Sequence, residues 1–319
     1  SAMPNSRPSS QGESQVVKDF KQWLETNDKG QAVAVGAIYA LTNLVKRSDA
    51  STIMELEILL KDAQEQLQKV KFEGQRSKLI QLTAACELFA RHVTRTTVDI
   101  GDFAVCKQRI IERGEGFAQQ ADYARDVIAD NACPFLRDGM AILVHGFSHV
   151  VLNVLTAAAR RGIRFKAICT EGQPECDGRR TAAALSASGI PTELILDTAV
   201  AFVMAEVDLV LTGAQGVCES GGIINKIGTY QVSVVAKNAN KPFYVAAESY
   251  KFCRLYPLSP TDLPDAEKEP ASAAPAGGGP RERLPPSDFT PPQHVSLLLT
   301  DLGVLTPSAV SDELIKLYY

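Results

Sequence analysis

The sequence predicts an α/β protein: an N-terminal all-helical domain followed by a Rossmann-like parallel-sheet domain. Three observations predict it. Between about residues 15 and 130, apolar residues recur at helical spacing. After Asp138-Gly139, short apolar runs alternate with helical stretches, the pattern of strands buried on both faces and joined by crossover helices. One such run, Val207 to Leu211, leads into a glycine-rich stretch, Gly213 to Tyr230, that ends in another helical pattern.

Taken in order, residues 1–14 are polar and read as a disordered tail. Val16, Val17, Phe20, Trp23 and Leu24 make one helical face, and Val33, Ala37, Ile38, Leu41, Leu44 and Val45 a second. Thr52 with Glu55 three residues on is a capping box, opening a helix that carries Leu56, Leu59, Leu60 and Leu67. Leu79, Leu82, Cys86, Phe89 and Val93 mark a fourth, and a long segment from Ile100 to Ile128 the last. The helical domain is placed at 15–130 and the α/β domain at 131–319. Its strands are predicted at Ala141–Val144, Phe165–Cys169, Thr192–Leu196, Val207–Leu211, Phe243–Ala246 and Val295–Leu299. Helices are expected at Val150–Arg160, Arg179–Ser188, Ala199–Ala205, Tyr230–Lys237 and Ser308–Leu317. Residues 259–293, rich in Pro, Ala and Gly, read as a flexible surface insertion.

The totals narrow the function. A net charge of −4 and a pI near 5.7 argue against a general nucleic-acid or membrane-surface binder. No apolar run approaches the ~18 residues of a membrane-spanning helix. Seven cysteines, an odd number with no Cys-x-x-Cys pair, fit reduced thiols and a cytosolic location rather than disulfides or structural zinc.

A strand, a glycine-rich connection and a helix can gather backbone N–H groups around an anion. Asn225 and Lys226 add an amide and a positive charge beside that helix start, so the stretch reads as a phosphate-holding loop; an ordinary crossover needing glycines for its turns is the alternative. It has neither the Walker spacing nor the dinucleotide fingerprint. Strand-end positions favour His145, Thr170-Glu171 and Asp197 as well. His145 reads as a hydrogen-bonding strand end and His149 as a surface residue, with no further ligands spaced for a metal. Asp197 either caps its helix or belongs to the site. Glu171, Glu219 and Glu248 read as solvated or structural carboxylates, and Cys218 as inert for want of a nearby base. Lys251, after the fifth strand, is a second cation for the same ligand.

Several segments resemble the alpha-subunit family of eukaryotic translation initiation factor 2B. They are Ile110-Ile111-Glu112-Arg113-Gly114-Glu115, Asp138 to Leu143 with His145, Gly221 to Thr229, Lys241 to Ser249, and the run from Leu298 to Tyr318. The resemblance implies a regulatory, non-catalytic subunit of a guanine-nucleotide exchange factor. It implies a homodimer that joins beta, gamma, delta and epsilon subunits into a decamer, with exchange activity in epsilon. Phosphorylation of the alpha subunit of initiation factor 2 would be sensed partly through the helical domain. The dimer interface is expected in the α/β domain, whose apolar content exceeds what one sheet needs.

The fold also resembles the isomerases of methylthioribose 1-phosphate and ribose 1,5-bisphosphate. Those enzymes carry a catalytic cysteine after the strand-end His, where this chain has Gly146, and a catalytic aspartate where it has Gln215. A glycine cannot transfer a proton, and a neutral glutamine amide is a poor acid or base near neutral pH. Their phosphate-binding arginines have no match around Lys29 or Ala50. The resemblance thus leaves a vestigial pocket for phosphate, sugar phosphate or nucleotide, built from His145, Gln215, Gly221, Gly222, Asn225, Lys226 and Lys251, with no required cofactor and no metal. An active sugar-phosphate isomerase and a free-standing metabolite sensor are the rival readings.

Overall fold

The structure is a computed structural model and describes residues 14–26, 33–70, 78–259, 262–263 and 285–318. All of the expected tail except Ser14, Lys29, and most of the expected insertion lie outside them.

Helical periodicity upstream becomes five helices. α1 (Gln15–Thr26) buries Val16, Val17, Phe20 and Trp23 against α2 (Val33–Arg47), which buries Val33, Ala37, Ile38, Leu41 and Val45 in return. Full burial of such side chains contributes about 1.5–3 kcal/mol each. α3 (Ile53–Gln68) opens on the predicted box: the Thr52 hydroxyl accepts from the Glu55 N–H at 3.3 Å, and the Glu55 carboxylate accepts from the Ser51 N–H at 2.8 Å. Leu59, expected on its apolar face, is instead exposed. α4 (Lys78–Asp99) contributes Leu82, Cys86, Phe89 and Val93 to the same core. α5 (Phe103–Ala132) begins at Asp102, whose carboxylate accepts from the N–H groups of Ala104 and Val105.

α5 runs across the boundary expected at 130. Its 30 residues span about 45 Å. The first half puts Cys106 and Ile110 into the helical core, and the second puts Ile128, Ala129 and Ala132 against the sheet layer. The helix is therefore a beam shared by both units.

Beyond it the order is β1 (Ala141–His145), α6 (His149–Arg160), β2 (Lys166–Thr170), α7 (Asp177–Ala187), β3 (Thr192–Ile195), α8 (Val200–Val203), β4 (Leu209–Gly213), β5 (Gly216–Cys218), β6 (Ile223–Lys226) and α9 (Thr229–Asn238). Then come β7 (Phe243–Ala246), β8 (Phe252–Cys253), β9 (Ser287–Thr290), β10 (Leu297–Thr300), β11 (Gly303–Leu305) and α10 (Val310–Tyr318). The main sheet runs β11-β10-β7-β4-β1-β2-β3, parallel except for the antiparallel edge strand β11. The predicted strands are all present within one or two residues. The helix expected at Ala199–Ala205 shrinks to a single turn at Asp197–Ala199 followed by α8.

A second sheet, β8-β5-β6-β9, escaped the sequence reading. It corrects two expectations. The stretch 213–230 is not a simple crossover, because Gly216–Cys218 and Ile223–Lys226 pair as an antiparallel hairpin. The end of the expected surface insertion is not surface: Ser287–Thr290 are fully buried and pair antiparallel with β6. Strands this short, with glycines and polar residues in them, carry no alternation to detect.

Candidate functional site

In the main sheet the strand order reverses between β1 and β4, so their carboxyl ends open a crevice at the topological switch point. His145 closes β1. Its Nδ1 lies 2.7 Å from the Thr170 hydroxyl and its Nε2 2.9 Å from the Ile227 carbonyl. A carbonyl only accepts, so Nε2 carries the proton and Nδ1 takes one from Thr170. Burial pushes the His145 pKa down, with the Ile227 carbonyl pulling it back. The ring is a fixed neutral strut with both nitrogens engaged. Gly228 must be glycine beside it: φ is +97°, and a Cβ there would come within 2.9 Å of the His145 ring.

The hairpin ends beside this ring. The Asn225 amide donates to the hydroxyls of Thr212 and Thr229, both at 3.1 Å, tying β6 to β4 and to the start of α9. Gln215 is buried, with its carbonyl oxygen accepting from the Ser287 hydroxyl at 3.0 Å. The anion at the α9 N-terminus is the chain's own. The Asp288 carboxylate accepts from the Gly228 N–H at 2.8 Å and from the Tyr230 N–H at 3.2 Å. Burial raises its pKa to about 7, although those N–H groups favour the charged form. The backbone groups expected to face a phosphate are therefore already satisfied.

What faces the crevice is cationic. Lys226, half-buried, pairs with Glu175 and with Asp177, the latter at 3.0 Å. Gly146, with φ +73°, brings its backbone against the Lys226 side chain, to which an added Cβ would approach 3.6 Å. Lys251 pairs with Glu248 at 2.6 Å, and Glu248 also takes Arg125 Nε at 3.3 Å and the Tyr250 hydroxyl at 2.8 Å. Burial opposes ionisation of Glu248, but Lys251 and Arg125 more than reverse this and hold its pKa at about 2. His149, at the first turn of α6, has its pKa pushed down to about 4 by burial and by the charges of Arg125, Arg180 and Lys251. Three cations and a helix N-terminus capped by Ser148 thus converge on His149.

His145, Gly146, Gln215, Asn225 and Lys226 are brought together, while Lys251 stands with Glu248, Arg125 and Tyr250. Gly221 and Gly222 are not. They lie at the other end of β6, roughly 13 Å of strand from Lys226. There a Cβ on Gly221 would lie 2.1 Å from the Pro307 carbonyl oxygen, and one on Gly222 2.6 Å from the Phe289 ring. Both glycines permit close chain packing there. Asp197 caps no helix; it accepts from the N–H groups of Gly172 and Gln173. Cys218 is buried beside Cys253, with its thiol pKa raised well above normal by that neighbour and by burial. Sequence reading missed Arg125, Arg180 and the acidic partners Glu175 and Asp177. Arg125 had a signal: it falls on the Ala121, Ala124, Ile128 stripe of α5, where an unpaired charge is costly.

A family comparison decides the lineage: the model of the Initiation factor 2 subunit family matches residues 27–307. The chain belongs to that family. Translation initiation factor eIF2B subunit alpha of Dictyostelium discoideum is 44% identical over 95% of this chain and 96% of its own length. The protein of the same name from Caenorhabditis elegans is 33% identical over 95% and 98%. The ribose 1,5-bisphosphate isomerase of Archaeoglobus fulgidus is 34% identical over 63% of this chain and 65% of its own length. Among solved structures, the Pyrococcus horikoshii OT3 translation initiation factor eIF-2B superposes with a TM-score of 0.68 at 25% identity, covering 92% of this chain and 97% of that one. The eIF2B-beta2-delta2 complex of C. thermophilum gives 0.73 at 19% identity, covering 96% of each, which speaks for the fold alone. As a family member, the chain is an initiation factor 2B subunit with a Rossmann-like α/β fold.

Proposed function

We propose that this chain is the regulatory, non-catalytic alpha-type subunit of the guanine-nucleotide exchange factor for translation initiation factor 2. In this reading it is a homodimer that bridges beta, delta, gamma and epsilon subunits and helps sense the phosphorylated alpha subunit of factor 2 from the cytosol. The observation that carries it is near-full-length likeness to the Dictyostelium protein, against partial likeness to the isomerase. The crevice supports it. Gly146 has no side chain, the Gln215 amide is neutral and engaged by Ser287, and both nitrogens of His145 are occupied. Neither Gly146 nor Gln215, the positions where the isomerases carry their cysteine and aspartate, supplies an acid or base.

The pocket keeps a binding role in this reading. Lys226, Lys251, Arg125 and Arg180 supply the charge for a phosphate, sugar phosphate or nucleotide, which would exchange places with Glu175 and Asp177 on Lys226. A ligand held only by the native form stabilises it by mass action. Phosphoserine brings nearly two negative charges and strong acceptors, so its effect on the assembly would act through cations or an altered docking pose. Exposed apolar side chains at both edges of the main sheet, Leu196 and Phe202 at one and Leu302 and Val304 at the other, fit subunit contacts through the α/β unit. No helix among the described residues is long and apolar enough to cross a membrane.

Native mass spectrometry of the purified chain, alone and mixed with beta and delta subunits, tests this. Dimers that join the other subunits are expected. A monomer at micromolar concentration that joins neither would count against it.

A further inference from the structure

Away from the crevice, a cavity of about 340 Å³ opens between α4, α5 and the turn at Ser249–Tyr250. It falls in the size range of small-molecule sites. Leu88, Phe89, Phe117, Ala121 and Tyr250 make apolar walls, with Phe117 and Tyr250 edge to face at 5.5 Å between centroids. Its polar lining is His92, Arg113, Gln120, Ser249 and Asp301. Arg113 is exposed there and, among the described residues, has no hydrogen-bond or ion-pair partner. His92 beside it is neutral, its pKa pushed down to about 4 by burial and by Arg113 and Arg95, so it supplies no competing charge. Past the mouth the cavity continues as a shallow hollow over α5, bounded by Arg113, Gln119, Gln120 and Tyr123. Gly116 leaves its floor open, since a Cβ there would meet nothing within 4 Å.

We propose that this cavity binds a small amphipathic anion, with an apolar ring system between Phe89, Phe117 and Tyr250 and its charged group on Arg113. The division of the surface carries the inference. The walls are apolar, and two charged residues line the cavity: Asp301, whose carboxylate already accepts from the Ser249 N–H and hydroxyl, and Arg113, whose guanidinium shares the adjoining hollow with two carboxamides and suits a carboxylate, sulfonate or phosphate head. Arg113 lies in the Ile110–Glu115 segment, which the crevice does not use. The site stands whether or not the crevice holds phosphate. It nonetheless backs onto it, because Tyr250 forms its wall and hydrogen-bonds Glu248, the partner of Lys251.

Isothermal titration of the full chain with 8-anilino-1-naphthalenesulfonate tests the proposal. One-to-one binding is expected at about 10–100 μM, the range that ligand efficiency allows for a probe of about 20 heavy atoms. N-phenyl-1-naphthylamine, the same body without the sulfonate, is expected to bind about tenfold more weakly, and Arg113→Gln to weaken the sulfonate probe by a similar factor at an unchanged melting temperature. Ala121→Met, which fills the cavity, should abolish binding, and excess inorganic phosphate should not displace the probe. Absence of saturable binding, or equal affinity for charged and neutral probes in both wild type and Arg113→Gln, would overturn it. Arg113 is exposed, so that variant keeps the test valid if Ala121→Met fails to fold.

Discussion

Glu248→Ala is expected to destabilise the protein by about 3–5 kcal/mol, the range for breaking a buried ion pair from one side. Glu248 is 1% exposed and holds Lys251, Arg125 and the Tyr250 hydroxyl at once. Truncation leaves two nearly buried cations and a hydroxyl without their acceptor. Arg125 comes from α5 and Glu248 from the end of β7, so the pair also clamps the shared beam to the sheet. The pH dependence follows with a definite sign. Glu248 titrates at about 2 in the fold against an ordinary 4.5. A depressed carboxylate stabilises above its unfolded pKa, and that contribution is lost as pH falls through the folded one. About 3 kcal/mol is at stake between pH 4.5 and 2. Urea unfolding should therefore show the advantage of wild type over Glu248→Gln holding at pH 7 and shrinking across that window. A gap that widens on acidification would contradict the arrangement.

Gly221→Ala is expected to cost about 3 kcal/mol. A φ of +80° carries about 1–2 kcal/mol for any residue with a Cβ. The new Cβ would also sit 2.1 Å from the Pro307 carbonyl oxygen, and relieving such overpacking costs typically 1–3 kcal/mol. Gly139 separates the two terms, because its φ is +83° but a Cβ there meets nothing within 4 Å. Denaturation midpoints should show Gly139→Ala paying only the conformational part. Equal losses at the two sites would mean that the hairpin does not pack on Pro307.

Pro307 belongs to the C-terminal segment, and this shows why the loop resisted reading. The strands of the main sheet were legible because Ala141–Val144, Leu209–Leu211 and Phe243–Ala246 are short runs of apolar and aromatic residues, nearly all buried. The capping box at Thr52 was legible because its partners are three residues apart. The second sheet was not, because Lys226 pairs with Ser287 across some sixty residues, and neither strand has a pattern of its own. Asp288 lay in a Pro-rich stretch that reads as solvent-exposed, although its burial is what closes the α9 N-terminus. The strand-end positions of His145 on β1 and of Asn225 and Lys226 beside the α9 start were legible in the sequence. The site's remaining charges were not, because Arg125, Arg180, Glu175 and Asp177 reach it only through the packing of α5 and α7.

The glycines of the 213–230 stretch suggested a phosphate cradle, and the fold divides their work. Gly228 makes room for the His145 ring, Gly221 and Gly222 for the C-terminal segment and β9, and Asp288 takes the helix end. What remains for a ligand is side-chain charge, with Glu175 and Asp177 already on Lys226. Turnover measured on ribose 1,5-bisphosphate with the purified full chain tests this most directly. The account predicts no ketose above the no-enzyme blank, for wild type and Lys226→Ala alike. Turnover by the wild type that Lys226→Ala abolishes would contradict it and make the chain an isomerase.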